Sequence, residues 1–511
     1  MPQFIVSGYT TLGYNYPYLQ YVDPVLQYGA NATWIRGSHN LRFGLDLSQQ
    51  RVNHIEVPPT QFTFTGGITA LPGGAAANQY NSYGDFLLAL PQSYQNSRLA
   101  GSQVTLRTWQ TSLYVRDQWQ VSRKLTLTYG LRWEYYPVPK RADRGLEVLD
   151  TSSLQILLCG VGGNPSDCGI HVSKHGISPR LGLAYRPTST WVVRAGFALN
   201  PEPTNMGRDS VMNYPEVFTY AATGASSYLP VVSNLSAGVP VQPTVDTSSG
   251  KLPLPAGVSF TTIPQNYVRG YTESWNFTLQ KDLGHGWIAQ AGYVGTHIVH
   301  MHMLYNINYG QVGGGAASQP FAKNGITSSL AMVLPYGAMN YNSLQTSLQR
   351  RFATGFTMQA SYTRSKWMGL CCDDIGYSSI AIPIPQYWLL NRSVMPADRA
   401  DNFRLSGLYE LPFGHGKPMV KNGVAALIAG GWQLNGVLSL YSGAPFTVTS
   451  SAASLNAPGS TQRADQVKAD VQILGTPGQW FDTTAYAAVT NRASVRQVLI
   501  PCADRAWPTS T

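Results

Sequence analysis

Charge is scarce in this sequence. Asp, Glu, Lys and Arg make up 12% of its 511 residues, about half the usual share. Long apolar runs are also missing. No stretch reaches the roughly 18 continuous apolar residues that a membrane-spanning helix needs. The nearest, "GVAALIAGGW" (423–432), is too short. The opening "MPQFIVSGYTTLGYNYPYLQ" lacks a basic start, a long apolar segment and a small-residue cleavage site, so no secretory signal is read there. Cysteine is sparse, with five in all, and no zinc spacing appears among them. A nucleophile elbow, a phosphate loop and paired metal-ligand motifs are absent, so no catalytic residue or cofactor is assigned. No nucleic-acid module with base-reading spacing is found either.

Aromatics and small residues are what is present. The chain holds 30 Tyr, 12 Trp, 50 Gly and 33 Pro, with aromatics at 11%. Its mean hydropathy is near zero at -0.13. Disorder does not fit so many aromatics. The combination suits a β-rich chain whose apolar groups are spread by alternation. The formal charge of +10 is dispersed, without a long Lys/Arg run. It is read mainly as basic side chains at turns and in a wet interior, with contact to an anionic lipid surface as the second reading.

The alternation is visible in "LTLTYGLRWEYYPVP" (125–139). Leu125, Leu127, Tyr129, Leu131, Trp133 and Tyr135 form one face. Thr126, Thr128, Gly130, Arg132, Glu134 and Tyr136 form the other. Such segments come in pairs: 32–37 with 41–51, 107–121 with 125–136, and 178–187 with 190–199. Three more are 270–283 with 286–298, 341–352 with 356–367, and 402–413 with 431–448. Within each pair the connection is a short turn, except for the longer one containing "GHGKP". Between pairs it is long and rich in Gly, Pro, Ser and Asn. This sorting, in about twelve strands of about ten residues, is the pattern of an antiparallel outer-membrane β-barrel with short periplasmic turns and long extracellular loops. The fold expectation is therefore an all-β transmembrane barrel, incomplete at this strand count. The solvent on the apolar face is expected to be lipid.

Trp109, Trp119, Trp133, Tyr135, Trp275, Trp287 and Trp432 fall near strand ends and are the candidate aromatic girdle; Tyr136 and Trp367 are grouped with them. Cys159 and Cys168 bracket "CGVGGNPSDC", a loop that a disulfide would close in an oxidising compartment. Cys371 and Cys372 are adjacent in "CCDD", and Cys502 is left over. In "THIVHMHM" regular alternation would turn His300 and His302 to one side, with Met301 or Met303 near; this is a weak soft-metal pattern, and no metal site is assigned. "GGITALPGGAAAN" (66–78) reads as a flexible connection and "YGDFLLALP" (83–91) as a short amphipathic turn.

Several stretches carry a family resemblance. "YNSLQTSLQRRFATGFTMQASYTRSK" (341–366), "DRADNFRLSGLYELPFGHGK" (398–417) and "GGWQLNGVLSLYSGAPFTV" (430–448) resemble TonB-dependent transporters of the Oar-like group. "LYVRDQWQVSRKLTLTYGLRWEYYPVP" (113–139) and "ISPRLGLAYRP" (177–187) do so too. The resemblance runs from about residue 10 to about 485. It implies an outer-membrane barrel, in full of about 22 strands with a plugged lumen. It also implies a signal peptide, an N-terminal β-sandwich and a plug, none of which is read in this chain. The partners it implies are outer-membrane lipid, a plug domain, the TonB energy complex and the barrel-assembly machinery. Residues 1–485 are expected to be the partial barrel, and 486–511 an atypical tail, truncated or frameshifted. The functional expectation is energy-coupled uptake or export of an unidentified substrate. The alternative is a passive or adhesive surface barrel whose long loops bind partners. A soluble propeller or sandwich array would need a repeat of about 40–50 residues, and none is seen.

Overall fold

Alternating segments separated by short turns can satisfy their backbone groups only by pairing with neighbours, and they do so in chain order. The computed structural model describes residues 2–489 apart from 15–17, 101–102, 203–212, 242, 371–378 and 452–453. Twelve consecutive strands make the wall. They are β1 (Val25–Arg36), β2 (His39–Val57), β3 (Val104–Gln120), β4 (Leu125–Tyr135), β5 (Ile177–Tyr185) and β6 (Trp191–Pro201), then β7 (Tyr271–Gly284), β8 (Trp287–Asn306), β9 (Leu330–Ala353), β10 (Phe356–Gly369), β11 (Asp401–Glu410) and β12 (Gln433–Tyr441). Each pairs antiparallel with the next. Three short strands join them in a 15-stranded sheet. Among the described residues β1 and β12 each pair on one side only, so the sheet is an unclosed barrel wall.

All twelve expected strands are present, and several overrun their expected ends. β9 has 24 residues, β8 has 20 and β2 has 19. The excess lies at the long-loop end, beyond the roughly 9–11 residues that hydrocarbon requires. There the strands carry a cap built from the long connections. Leu149, Ile156, Leu158, Leu252, Phe260 and Leu330 make one of its apolar cores. Val104, Leu106, Leu146, Ile170 and Ile263 make another, which includes Cys159 and Cys168. Gln3–Val6, Gln61–Phe64, Ser93–Leu99 and Val217–Thr223 form a separate four-stranded sheet over Phe62, Phe64 and Tyr94.

Two loop expectations are corrected. The helix α1 spans Gln79–Leu87, starting before the expected turn, because Asn78 caps it by accepting from the backbone N–H groups of Tyr80 and Asn81. The 66–78 connection is fastened at its start. Fully buried Asp85 on α1 accepts from the backbone N–H groups of Gly66 at 2.8 Å and Thr69 at 2.9 Å. A second short helix, α2 (Gly423–Ala429), lies in the β11–β12 connection.

Candidate functional site

Strand alternation gives the wall two chemically different faces. The outward face is apolar and uncovered. Register places Ala32, Phe43, Val115, Leu131 and Pro179 in one row across five strands. Leu131 is 54% exposed and Phe43 49%. Leu181, Phe277, Leu344 and Leu434 continue the exposed surface on other strands. A shallow hollow in it, lined outwardly by Ala30, Ala32, Leu45, Leu113 and Trp133, has no charged group in its lining. So continuous an apolar exterior is foreign to a soluble monomer.

The inward face is polar and networked. Arg132 donates to Asp46 at 2.9 Å, to Glu134 at 2.9 Å and to the Ser112 hydroxyl. Glu134 accepts further from Ser178 at 2.9 Å and Tyr136 at 2.6 Å. Arg132 also lies 5.6 Å from the Tyr114 ring centre, and that ring covers Gly44. A Cβ at Gly44 would stand 2.8 Å from it. The row Arg42–Arg116–Gly130–Arg180 adds three inward arginines. Sequence reading had placed Arg132 and Glu134 on the wet face. Asp46, far away in sequence, was reachable only through register.

The aromatic candidates separate into two levels. Trp119 is the penultimate residue of β3, Trp287 the first of β8, and Trp432 immediately precedes β12. Trp109, Trp133, Tyr135 and Trp275 lie about ten residues further from the short turns, which at a typical strand rise and barrel tilt is about 25 Å along the barrel axis. Trp133 and Tyr135 stack at 6.4 Å, and Trp109 stacks with Tyr28 at 6.5 Å. Trp34 and Trp191, not singled out from sequence, join the short-turn level. Tyr136 and Trp367 are corrected. Tyr136 turns inward to Glu134, and Trp367 packs on the cluster of Met301, Met303, Met339 and Met395.

The cap holds the remaining candidates. Cys159 and Cys168 are joined by a disulfide, with Cα atoms 5.2 Å apart. Beside it an ion quartet missed in the sequence packs four charges together. Arg141 pairs with Glu216 at 2.9 Å, Arg144 with Glu147, and Arg141 lies 3.7 Å from Glu147. Burial pushes the Glu216 carboxyl up, against the pull of Arg141. The histidine alternation breaks at a register shift between Ile298 and Met303. His300 sits at φ 56° and is exposed, while His302 is buried against Tyr267. The two rings therefore do not share a side. Among the described residues no three His, Cys, Asp or Glu side chains converge as metal ligands. Cys371, Cys372 and Cys502, with the 486–511 tail beyond 489, lie outside the described residues.

An antiparallel wall with a bare apolar exterior, a polar interior and sorted connections defines an outer-membrane β-barrel. The family model described as "Outer membrane beta barrel domain" matches residues 1–497, and the chain belongs to that family. No curated protein matches it. Among solved structures it is similar to the outer-membrane transporter YddB of Escherichia coli, at 12% identity and TM-score 0.38, over 76% of this chain and 40% of that one. It is also similar to the alcaligin outer-membrane receptor FauA of Bordetella pertussis, at 13% and 0.35, over 82% and 46%. A third is the FrpB iron transporter of Neisseria meningitidis, at 10% and 0.38, over 77% and 42%. The chain thus spans less than half the length of each of these proteins.

Proposed function

We propose that this chain is part of the wall of an outer-membrane transporter of the TonB-dependent type, serving energy-coupled passage of an unidentified substrate. The observation that carries the reading is the pairing of the two faces with the sorted ends. Lipid contacts the apolar exterior. The Arg132–Asp46–Glu134 network and the row Arg42, Arg116 and Arg180 line a polar passage. The two aromatic levels are the girdles at the two interfaces, with the hydrocarbon band between them. A plug domain, the TonB energy complex and the barrel-assembly machinery are the partners this reading requires. The oxidising outer compartment suits the Cys159–Cys168 bridge.

The ordered cap favours a second reading, a passive or adhesive barrel whose loops bind partners. One experiment separates the two. Intact cells producing the chain together with its plug partner are treated with a surface protease, and the outer membranes are then cross-linked and blotted for the TonB-type energy protein. Cleavage in the long loops plus a cross-link that a protonophore abolishes supports transport. Loop cleavage without any cross-link leaves the adhesive barrel. Cleavage at the short turns instead would overturn the assigned orientation.

A further inference from the structure

Three of the short-turn-level tryptophans and the basic residues beside them repeat one arrangement. Arg36, the last residue of β1, has its guanidinium carbon 5.9 Å from the Trp34 ring centre. Lys281 Nζ lies 4.7 Å over Trp191, its register partner on β6. Arg350 lies 5.6 Å over Trp287, its register partner on β8, and 5.0 Å over Phe356. All six positions share the outward parity of their strands. Among the described residues none of the three cations has a carboxylate partner; Arg350 Nη2 donates to the Thr354 hydroxyl at 3.3 Å and its Nε is buried.

The surroundings at this rim are basic. Its turns carry Arg123, Lys124, Arg186, Lys417 and Lys421. The nearby acids are already engaged: Asp117 by His39 at 2.6 Å and Tyr129 at 2.8 Å, Glu410 by Lys417, and Asp282 by the Gly284 backbone N–H at 2.8 Å. A cation laid on an indole face still turns N–H donors toward solvent, and a guanidinium edge matches a tetrahedral oxyanion. The anion that reaches an outward barrel face at headgroup depth is a phospholipid phosphate.

We propose that Arg36, Lys281 and Arg350, each seated on its tryptophan, form phosphate-binding sites for anionic phospholipid at the short-turn rim, in the periplasmic leaflet. This rests on the barrel reading above. The test takes the full chain, refolded into vesicles of phosphatidylcholine with or without phosphatidylglycerol, then extracted in detergent and weighed by native mass spectrometry for retained lipid. Wild type is expected to retain phosphatidylglycerol over phosphatidylcholine. K281Q/R350Q should cut that preference roughly tenfold, since each basic residue near an anionic surface contributes about fivefold or less. Equal retention of both lipids by wild type would overturn the proposal, as would an unchanged preference in the double variant. Retention of neither lipid would overturn it too, while flotation of the chain with the vesicles before extraction reads membrane embedding separately. If the double variant does not refold, the wild type in a salt series reads the same interaction: the preference should fall as salt rises, and a salt-independent preference would overturn the proposal.

Discussion

Replacing Leu131 by Arg tests the assignment of faces at its centre. Leu131 projects outward about midway along β4, flanked in register by Val115 and Pro179. It is 54% exposed, with lipid as its only remaining neighbour in the barrel reading. An arginine facing lipid near the midplane costs about 2–4 kcal/mol. At 1.4 kcal/mol per factor of ten, the ratio of folded to unfolded chain should fall about 30- to 700-fold. Thr128 lies three residues earlier on the same strand and faces inward, opposite Gln118 and Gly182. A long basic side chain there extends into the polar interior beside a glycine, and Thr128→Arg should change stability by about 0.5 kcal/mol or less. Refolding each variant into vesicles along a urea series, and scoring the band that migrates differently when unboiled, gives both numbers. Equal tolerance of the two substitutions would refute the two-face argument, as would greater damage from Thr128→Arg.

The cap and the inner wall give three further expectations. Arg141→Met leaves Glu216 and Glu147 buried with one fewer partner, and breaking such a pair costs about 3–5 kcal/mol; faster limited proteolysis between residues 140 and 177, with the wall still folded, is the expected readout. Reducing the Cys159–Cys168 bridge reopens a loop of about ten residues, worth about 2.5–3 kcal/mol, so reductant should speed hydrogen exchange in Glu147–Leu158 while leaving β7 to β9 unchanged. Hydroxyls of Ser153 and Ser152 donate to Asp150 and hold its carboxyl down at about 2. Its folded value lies below its unfolded one of about 3.9. Its contribution is therefore complete above that value and disappears as pH falls through about 2; Asp150→Asn should flatten the acid limb of exchange in that hairpin, and an unchanged limb would count against the assignment.

The wall was legible because an apolar exterior and a polar interior impose a period of two that survives in each strand, as in Leu125 to Tyr135. The strand extensions were not. In "LAMVLPYGAMN" at the start of β9, Leu330 and Val333 are buried by the cap and Met339 by the methionine cluster. Neither side of that stretch belongs to the bare apolar exterior, so alternation disappears and the segment reads as loop. The cap sheets were hidden for the same reason. Phe62 and Tyr94 come from one connection and Tyr220 from a distant one, and only their contact makes them a core. The placing of the aromatics near strand ends followed from the sequence, but Tyr136 shows the limit of grouping them by residue type. One step along the strand from Tyr135, it belongs to the other face and to Glu134.

The overlong strands have a consequence for any molecule arriving from outside. β8 and β9 carry their ladder of hydrogen bonds well past the length a bilayer demands, up to the pairs Tyr305–Met332 and Asn306–Ala331. The chain's outer surface is therefore presented on stiff pillars. A ligand meeting the cap does not have to freeze a set of wandering loops, a step that elsewhere costs roughly 0.5–1.5 kcal/mol for each side chain immobilised. More of the contact energy is left to select the ligand.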